Sequence, residues 1–409
     1  MAEAVMIILL LGLAAYVVLG GADFGAGLWY LLLPGEGRRR LRDHTYHAMG
    51  PVWEANHVWL IFVLVVAWTA YPRAFGSIAS TLYIPLFVAA VGIILRGTTY
   101  ALRGWARERG EERIVGLIFG VSSFLTPFAL GAAIGGIASE RVPVGNAAGD
   151  PWSSWLNPTS ILVGCLSVVT SAYLAAVWLT ADAARAEQPD LVAAFRRRAL
   201  AMGALAGVLS IGGLAVLRSD AERVYDGLTS GAGLVAVLAS AVAGGATLAW
   251  VARGRFEAAR WAAAVAVGAI VAGWALAQQP QILPGLTVDQ AAAGDATLTT
   301  LLVAIAFGAL VLVPSLWLLF GMVLRGQFDE RPERPGSLAD TATGPVLTGP
   351  LVTPPGRAAG VTAAALAVLG VPMTFLSDGG LVLGLGVILV LGALVAAAAF
   401  FLPSVADRA

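Results

Sequence analysis

Long apolar runs separated by short polar segments organise the chain. Runs long enough to cross a hydrocarbon layer of roughly 30 Å, about 20 residues each, lie at 5–33, 51–71, 76–101, 114–138, 159–181, 199–217, 228–252, 261–277, 297–325, 358–376 and 380–402. Each predicts a membrane-crossing helix. Between the last two runs and the rest, Gln327 to Pro355 is rich in Pro, Gly, Thr and Asp and lacks apolar periodicity, which predicts a flexible linker. The expected organisation is a transmembrane domain at 1–328, a linker at 329–357, and an added hairpin of two helices with a short tail at 358–409.

Two of the connecting segments, 142–158 and 278–295, are rich in turn formers, and the first carries Trp152 and Trp155. Aromatic residues of this kind favour the membrane–water interface, so ordered caps are expected there. Asp295, followed by Ala296, Thr297 and Leu298, has the look of an N-cap for the ninth run. Pro85, Pro127, Pro314 and Pro372 fall inside apolar runs and predict kinks.

Composition agrees with the pattern. With 58% hydrophobic residues, 12% charged residues and a mean hydropathy of +0.82, the chain belongs to the all-α, polytopic integral-membrane class. The first residues, MAEAVM, carry an acid rather than a basic region, and no small-residue cleavage site follows in a suitable place, which predicts an uncleaved first helix. The single Cys165 excludes an internal disulfide and a thiolate metal cluster. A net charge of zero gives no reason to expect a nucleic-acid partner.

The charges matter for orientation instead. Every basic residue is arginine, and twenty fall in alternate loops or the tail: the groups at 38–42, 103–113, 185–198, 253–260 and 325–357, with Arg408. The opposite loops hold four, Arg73, Arg141, Arg218 and Arg223. Arginine enriches cytoplasmic loops, so the N-terminus is expected outside and the C-terminus in the cytoplasm.

Against this apolar background a few polar groups stand out. The second run opens with Gly50, Pro51, Trp53, Glu54, Asn56, His57 and Trp59 within a few turns. Asp23 lies in the first run, about 15 Å from its cytoplasmic end at 1.5 Å per residue, and Arg96 lies about two turns from that end of the third. An ionised group in hydrocarbon costs from a few kcal/mol upward, so such residues face protein or water. Gly20, Gly21, Gly25 and Gly27 flank Asp23 and allow a neighbouring helix to approach closely.

Three readings fit this cluster: a water-lined proton or ion path from the cytoplasm, a buried ion pair that sets helix register, or a solute site. His57 could relay protons, ligate a haem or simply pack. His44 and His47, in the basic loop or at the helix start, are expected in solvated roles. With three histidines in all, a bis-histidine haem held by this chain alone is not expected.

The residues now on the page resemble the subunit II family of cytochrome bd-type quinol oxidases. The matching stretches are GADFGAG (21–27), GPVWEANHVWL (50–60), AWTAYPRAF (67–75), LRGTTY (95–100), SILVGCLSVVTSAYLAAVWL (160–179) and the segment 280–320 with DATLT, so the likeness covers 1 to about 328. It implies about nine helices, packed as two four-helix bundles and one peripheral helix. The partner implied is a haem-bearing subunit I in a heterodimer, with a small single-helix subunit as a further partner beside lipid and quinone. No haem is expected in this chain; haem b and haem d would sit in subunit I, and quinol would be the substrate of the complex.

The resemblance also implies that the second subunit stabilises the first and contributes to proton delivery, through Asp23, Glu54 and Arg96 with His57 nearby. Gly21, Gly25, Gly50, Pro51, Trp53, Asn56 and Trp59 would serve helix packing. This chain departs from the family pattern at Gly20, where an acid is common, at Glu54 for Asp, at Ala55 for Gly, and at His57 for Gln or Glu; a weaker or a rerouted proton path is the expectation these departures raise. An ion-coupled transporter would instead want matched broken helices around a midplane site. A scaffold would need no proton-carrying residues at all.

Overall fold

The computed structural model describes residues 1–32, 39–102 and 109–324, with scattered positions from 362 to 392. Side chains are described for these residues except 39–43, 46–51, 54–55, 100–102, 109–114, 313, 316 and 319–324. The chain divides into the units Met1–Phe320 and Gly321–Ala409. The expected linker and C-terminal hairpin, with Pro372, lie outside the described residues apart from those scattered positions.

The described residues of the first unit are mainly helical, as long apolar runs in a medium without hydrogen-bonding solvent require. Its elements are α1 (Ala2–Leu32), α2 (Arg39–Ala70), α3 (Pro72–Thr81), α4 (Tyr83–Leu102), α5 (Arg109–Ala138), α6 (Pro158–Arg185), α7 (Pro189–Asp220), α8 (Glu222–Thr229), α9 (Gly231–Ala252) and α10 (Phe256–Gln278). Then come β1 (Gln281–Leu283), β2 (Leu286–Thr287), α11 (Val288–Ala291) and α12 (Asp295–Leu324). Among the described residues, seven helices are long and apolar enough to cross a membrane; α2 with α3 is an eighth, bent by 118°, and α4 is a shorter apolar helix.

The bend falls where the second expected run ends, at 71; the expectation of one continuous run from 76 to 101 is corrected at Leu82, where α3 stops and α4 begins. Pro72 has no amide hydrogen and its ring excludes the preceding turn, so α2 stops at Ala70 and α3 restarts with Pro at its first position. The Ala70 carbonyl at the break accepts the Ala293 amide (2.8 Å), and Tyr71 Oη donates to the Ala2 carbonyl (2.6 Å). Pro85 sits in the first turn of α4, where no intrahelical N–H is lost, whereas Pro127 and Pro314 are inside α5 and α12. Asp295 is the first residue of α12 rather than its cap; the Gly294 carbonyl accepts from Leu298 at the helix start.

Helices α1, α2, α4 and α5 form one group, through the pairs α1–α2, α1–α5 and α4–α5. A second group, α6, α7, α9 and α10, closes through α6–α7, α7–α9, α9–α10 and α6–α10. Helix α1 joins them by packing on α6 and α10 as well, and it is buried without a break from Gly20 to Trp29. The connections at 142–158 and 278–295 are ordered: Asp150 accepts from the amides of Trp152 and Ser153, which holds its carboxyl below the usual carboxylate range. The β1–β2 hairpin buries Leu283 and Leu286 in a cluster with Val5, Val66 and Leu298.

At the other end of the helices, His44 in α2 is packed rather than solvated, correcting that expectation. Its ring tilts against Phe195 at 6.1 Å, and Nε2 lies 3.5 Å from Asp182 Oδ2. Phe195, on α7, fills this corner with no exposed surface and is better described as a wall than as a solvent-side neighbour.

The glycines set the closeness of α1 to its neighbours. A methyl on Gly25 would overlap the main-chain carbonyl of Ser171, and one on Gly21 would lie 2.8 Å from Leu174 Cδ1. Gly25→Ala therefore forces α1 away from α6 and is expected to cost at least about 1–3 kcal/mol, as overpacking does. Gly207→Ala, where nothing stands within 4 Å, should be neutral or gain up to about 1 kcal/mol of helix propensity. Thermal unfolding of the two variants in detergent tests the difference; equal melting temperatures would contradict it.

Candidate functional site

Asp23 and Arg96 meet inside the first helix group, where the sequence pattern placed them at similar depth. Arg96 leaves α4 six residues before its end at Leu102, and Asp23 leaves α1 nine residues before Leu32. Arg96 Nε donates to Asp23 Oδ2 (2.9 Å), and Nη2 donates to Oδ1 (2.5 Å) and to the Asp23 carbonyl (2.6 Å). Nη1 donates to Ser123 Oγ of α5, which itself donates to the Phe119 carbonyl (2.5 Å). The two charged side chains are 0% and 1% exposed.

Aromatic rings close the remaining faces. The guanidinium carbon lies 4.3 Å from the Phe119 centroid and 5.3 Å from that of Phe24, and Phe119 meets Tyr30 edge-on at 5.5 Å. A guanidinium over a desolvated ring gains on the order of 2 kcal/mol. The helices can approach this closely because a methyl on Gly27 would collide with Ser123 and lie 2.6 Å from Arg96 Nη1. Gly20 serves the opposite face of α1, where its missing side chain makes room for Asn56 of α2, whose Oδ1 would stand 2.9 Å from a methyl there.

Magnitudes decide what the pair is worth. Each ion loses several kcal/mol of hydration on burial, while their attraction at 4 Å is about 4 kcal/mol for an effective dielectric of 20. The fork of hydrogen bonds, Ser123 and the two rings bring the balance back towards zero. A pair of Leu and Met would hold the helices about as well, so stability alone does not account for ions here.

Toward the middle of the first group, the ion pair opens on a small cavity lined by Tyr16, Asp23, Phe24, Trp53, Asn56, His57, Leu60, Ile93 and Arg96. Trp53 and His57 face each other at 5.4 Å, and Asn56 is buried. Glu54 belongs to α2, but its side chain, like those of Gly50, Pro51 and Ala55, lies outside the described residues. Trp59 is not in the cavity lining; it packs edge-on against Phe62 at 5.9 Å. Gly21 and Gly25 face α6 rather than the site. Ser123, Phe119 and Tyr16 were not singled out from sequence, since a serine or an aromatic residue in an apolar run is ordinary.

The histidines sit together on one element. His44, His47 and His57 are all in α2, and His44 and His57 are separated by about 20 Å along the helix axis. Two axial ligands must approach opposite faces of one haem, which a single helix cannot arrange. Among the described residues, no group of three or more His, Cys, Asp or Glu could hold a metal ion.

Comparison with known proteins gives one consistent result. The family described as cytochrome bd terminal oxidase subunit II matches residues 1–323. The cytochrome bd ubiquinol oxidase subunit 2 of Bacillus subtilis (strain 168) is 29% identical over 117 residues, 28% of this chain and 34% of that protein. The cytochrome bd-I ubiquinol oxidase subunit 2 of Escherichia coli (strain K12) is 24% identical over 168 residues, 38% of this chain and 42% of its own length. Matches to curated relatives span from 34% to 61% of those relatives' lengths. A chain in the structure of bd oxidase from Geobacillus thermodenitrificans superposes with a TM-score of 0.63 at 25% identity, over 80% of this chain and 99% of that one.

The structural worth of the pair is open to direct measurement. Arg96→Met strands a carboxylate in the bundle and is expected to cost about 3–5 kcal/mol, whereas Asp23→Leu combined with Arg96→Met should regain most of that loss. Melting temperatures of the three proteins test this. A double variant as unstable as the single one would mean that Ser123 and the rings, not the opposite charge, hold the site together.

Proposed function

The chain belongs to the cytochrome bd terminal oxidase subunit II family, and we propose that it serves its oxidase complex as a haem-free subunit that steadies a haem-bearing subunit I and carries protons inward from the cytoplasm. The single observation that supports the proton role most is the fully buried Asp23–Arg96 pair, with a cavity continuing from it toward the middle of the helix group. Reduction of oxygen to water consumes protons, so a route from one side of the membrane makes the chemistry generate charge across it. An arginine beside the carboxylate offsets its charge in an apolar surrounding; when the carboxylate accepts a proton, the positive charge left on Arg96 still has Ser123, the Asp23 carbonyl and the Phe119 and Phe24 rings about it.

The arginine bias supports an orientation with the ends of α1 and α2 that flank Asp23 and Glu54 on the cytoplasmic side and the N-terminus outside. Glu54, nearer that end of α2 than Asn56 and His57, is the entry group in this reading, Asp23 and Arg96 the next station, and His57 a further one. The clustering of all histidines on α2 supports a haem-free chain, with haem b and haem d in subunit I and quinol oxidised by the complex. Among the described residues a single bent helix pair, α2 with α3, is found rather than two matched broken helices, which disfavours a transporter.

Two measurements bear on this. Glu54→Gln should slow quinol oxidase turnover of the assembled complex more than tenfold, over about 1.4 kcal/mol in the barrier, and Asp23→Asn should slow it less, with haem spectrum and subunit ratio unchanged. Loss of haem or of the partner would assign these residues to assembly, and full turnover with full assembly would remove them from the mechanism. Separately, the chain purified alone should show no haem absorbance; stoichiometric haem in it would overturn the haem-free role.

A further inference from the structure

We propose that the cavity beside the ion pair is a built water site, with Tyr16 and Asn56 as the residues that position the water. This deepens the proton-carrying reading above and rests on it for its functional consequence, though the water site itself does not. The observation is a pair of orphaned polar atoms. Tyr16 Oη and Asn56 Oδ1 are both buried from solvent and have no hydrogen-bond partner among the described residues. Both residues line the same cavity as Asp23, Arg96 and His57.

A buried hydroxyl or amide oxygen left without a partner costs about 1–3 kcal/mol, and two in one cavity make that cost hard to sustain. Their chemistry is complementary: Tyr16 offers a hydroxyl hydrogen, and Asn56 Oδ1 is an acceptor only. A water between them accepts the first and donates to the second. It keeps one hydrogen and one lone pair for the Asp23 side or for His57, which brings it to the three or so bonds usual for buried water. Size selects the occupant. The cavity leaves about 10 Å³ for the centre of a water-sized molecule, the threshold for a single water and far too little for a quinone headgroup or a solute.

Position gives the water its use. Tyr16 is seven residues, about two turns, before Asp23 in α1, and Ile93 precedes Arg96 by about a turn in α4, so the cavity lies on the far side of the ion pair from the helix ends where protons enter. A direct path past Arg96 meets its positive charge. The water gives a proton on Asp23 somewhere to go: the water oxygen takes up that proton and releases a different one toward His57, so charge is conserved and no ion remains on Tyr16 or Asn56. Those two residues hold the water without themselves changing protonation state.

The test uses the whole oxidase complex. A density map of the wild-type complex at a resolution that shows ordered water should contain a peak within hydrogen-bond distance of both Tyr16 Oη and Asn56 Oδ1. A dry cavity, or a direct bond between the two side chains, overturns the water site. Tyr16→Phe is the matching variant: it removes one hydroxyl and keeps the ring. It should lower kcat roughly threefold or more at unchanged quinol KM and haem content, and enlarge the kinetic effect of replacing H2O by D2O. A fall in kcat without a change in that isotope effect would assign Tyr16 to packing and contradict the positioning role. If the cavity is dry while Asp23→Asn still slows turnover, the water site fails and the proton reading survives. If the water is present while Asp23→Asn and Glu54→Gln are without effect, the proton reading fails and the site is structural.

Discussion

A carboxylate and a guanidinium that share a membrane interior can stay ionised only together, and the neighbourhood of Asp23 and Arg96 is arranged around that constraint. The fork geometry satisfies both carboxylate oxygens, the Asp23 carbonyl takes a further N–H, and α5 supplies the Ser123 hydroxyl and the Phe119 ring. Since each ion gives up several kcal/mol of hydration, each of these partners is needed to bring the burial near balance. An ion pair so close to neutral in energy is poor glue. Its retention in this chain makes better sense as a means of keeping a proton-accepting group charged in an apolar setting.

Backbone proximity follows from the same constraint. Side chains as short as aspartate cannot reach across a gap between helices, so the long Arg96 side chain supplies the reach from α4 while α1 lies against α5, where Gly27 provides the room. The glycines before it do the same on other faces, Gly20 for Asn56 of α2 and Gly21 and Gly25 for α6. One short stretch of α1 thus touches three sides at once, which is why it is buried from Gly20 to Trp29 and why the two helix groups share it. Gly20 also occupies a position where an acid is common in the family that the sequence resembles; here that space is taken by the amide of Asn56, and the polar groups next along the cavity are Tyr16 and His57.

Much of this was legible in the sequence because ionisable residues are rare in apolar runs. Asp23 and Arg96 announce themselves, and counting residues from the helix ends gives them similar depths. The membrane-crossing runs were legible for the same reason, and the family resemblance rested on motifs that the match over residues 1–323 bears out. The end of α2 at Ala70 agrees with the expected end of the second run at 71, but the break at Leu82 between α3 and α4 was not anticipated, since apolar content continues through it. His44 was expected in solvent because it follows a run of arginines; α2 in fact begins at Arg39 and carries it against Phe195 and Asp182. Ser123 and Tyr16 carried no signal, because their roles come from which neighbours surround them after helices from distant parts of the chain have packed.

The central claim is that protons reach the oxygen-reducing site through this subunit by way of Asp23. Its most direct test is the uptake of protons from the cytoplasmic-side solution during a single reaction of the fully reduced complex with oxygen, followed with a pH-sensitive dye in oriented vesicles. With Asp23→Asn, uptake should slow several-fold in step with the proton-coupled haem transitions, while the initial binding of oxygen keeps its rate. Proton uptake as fast as in the unaltered complex, with the variant fully assembled, would contradict the claim.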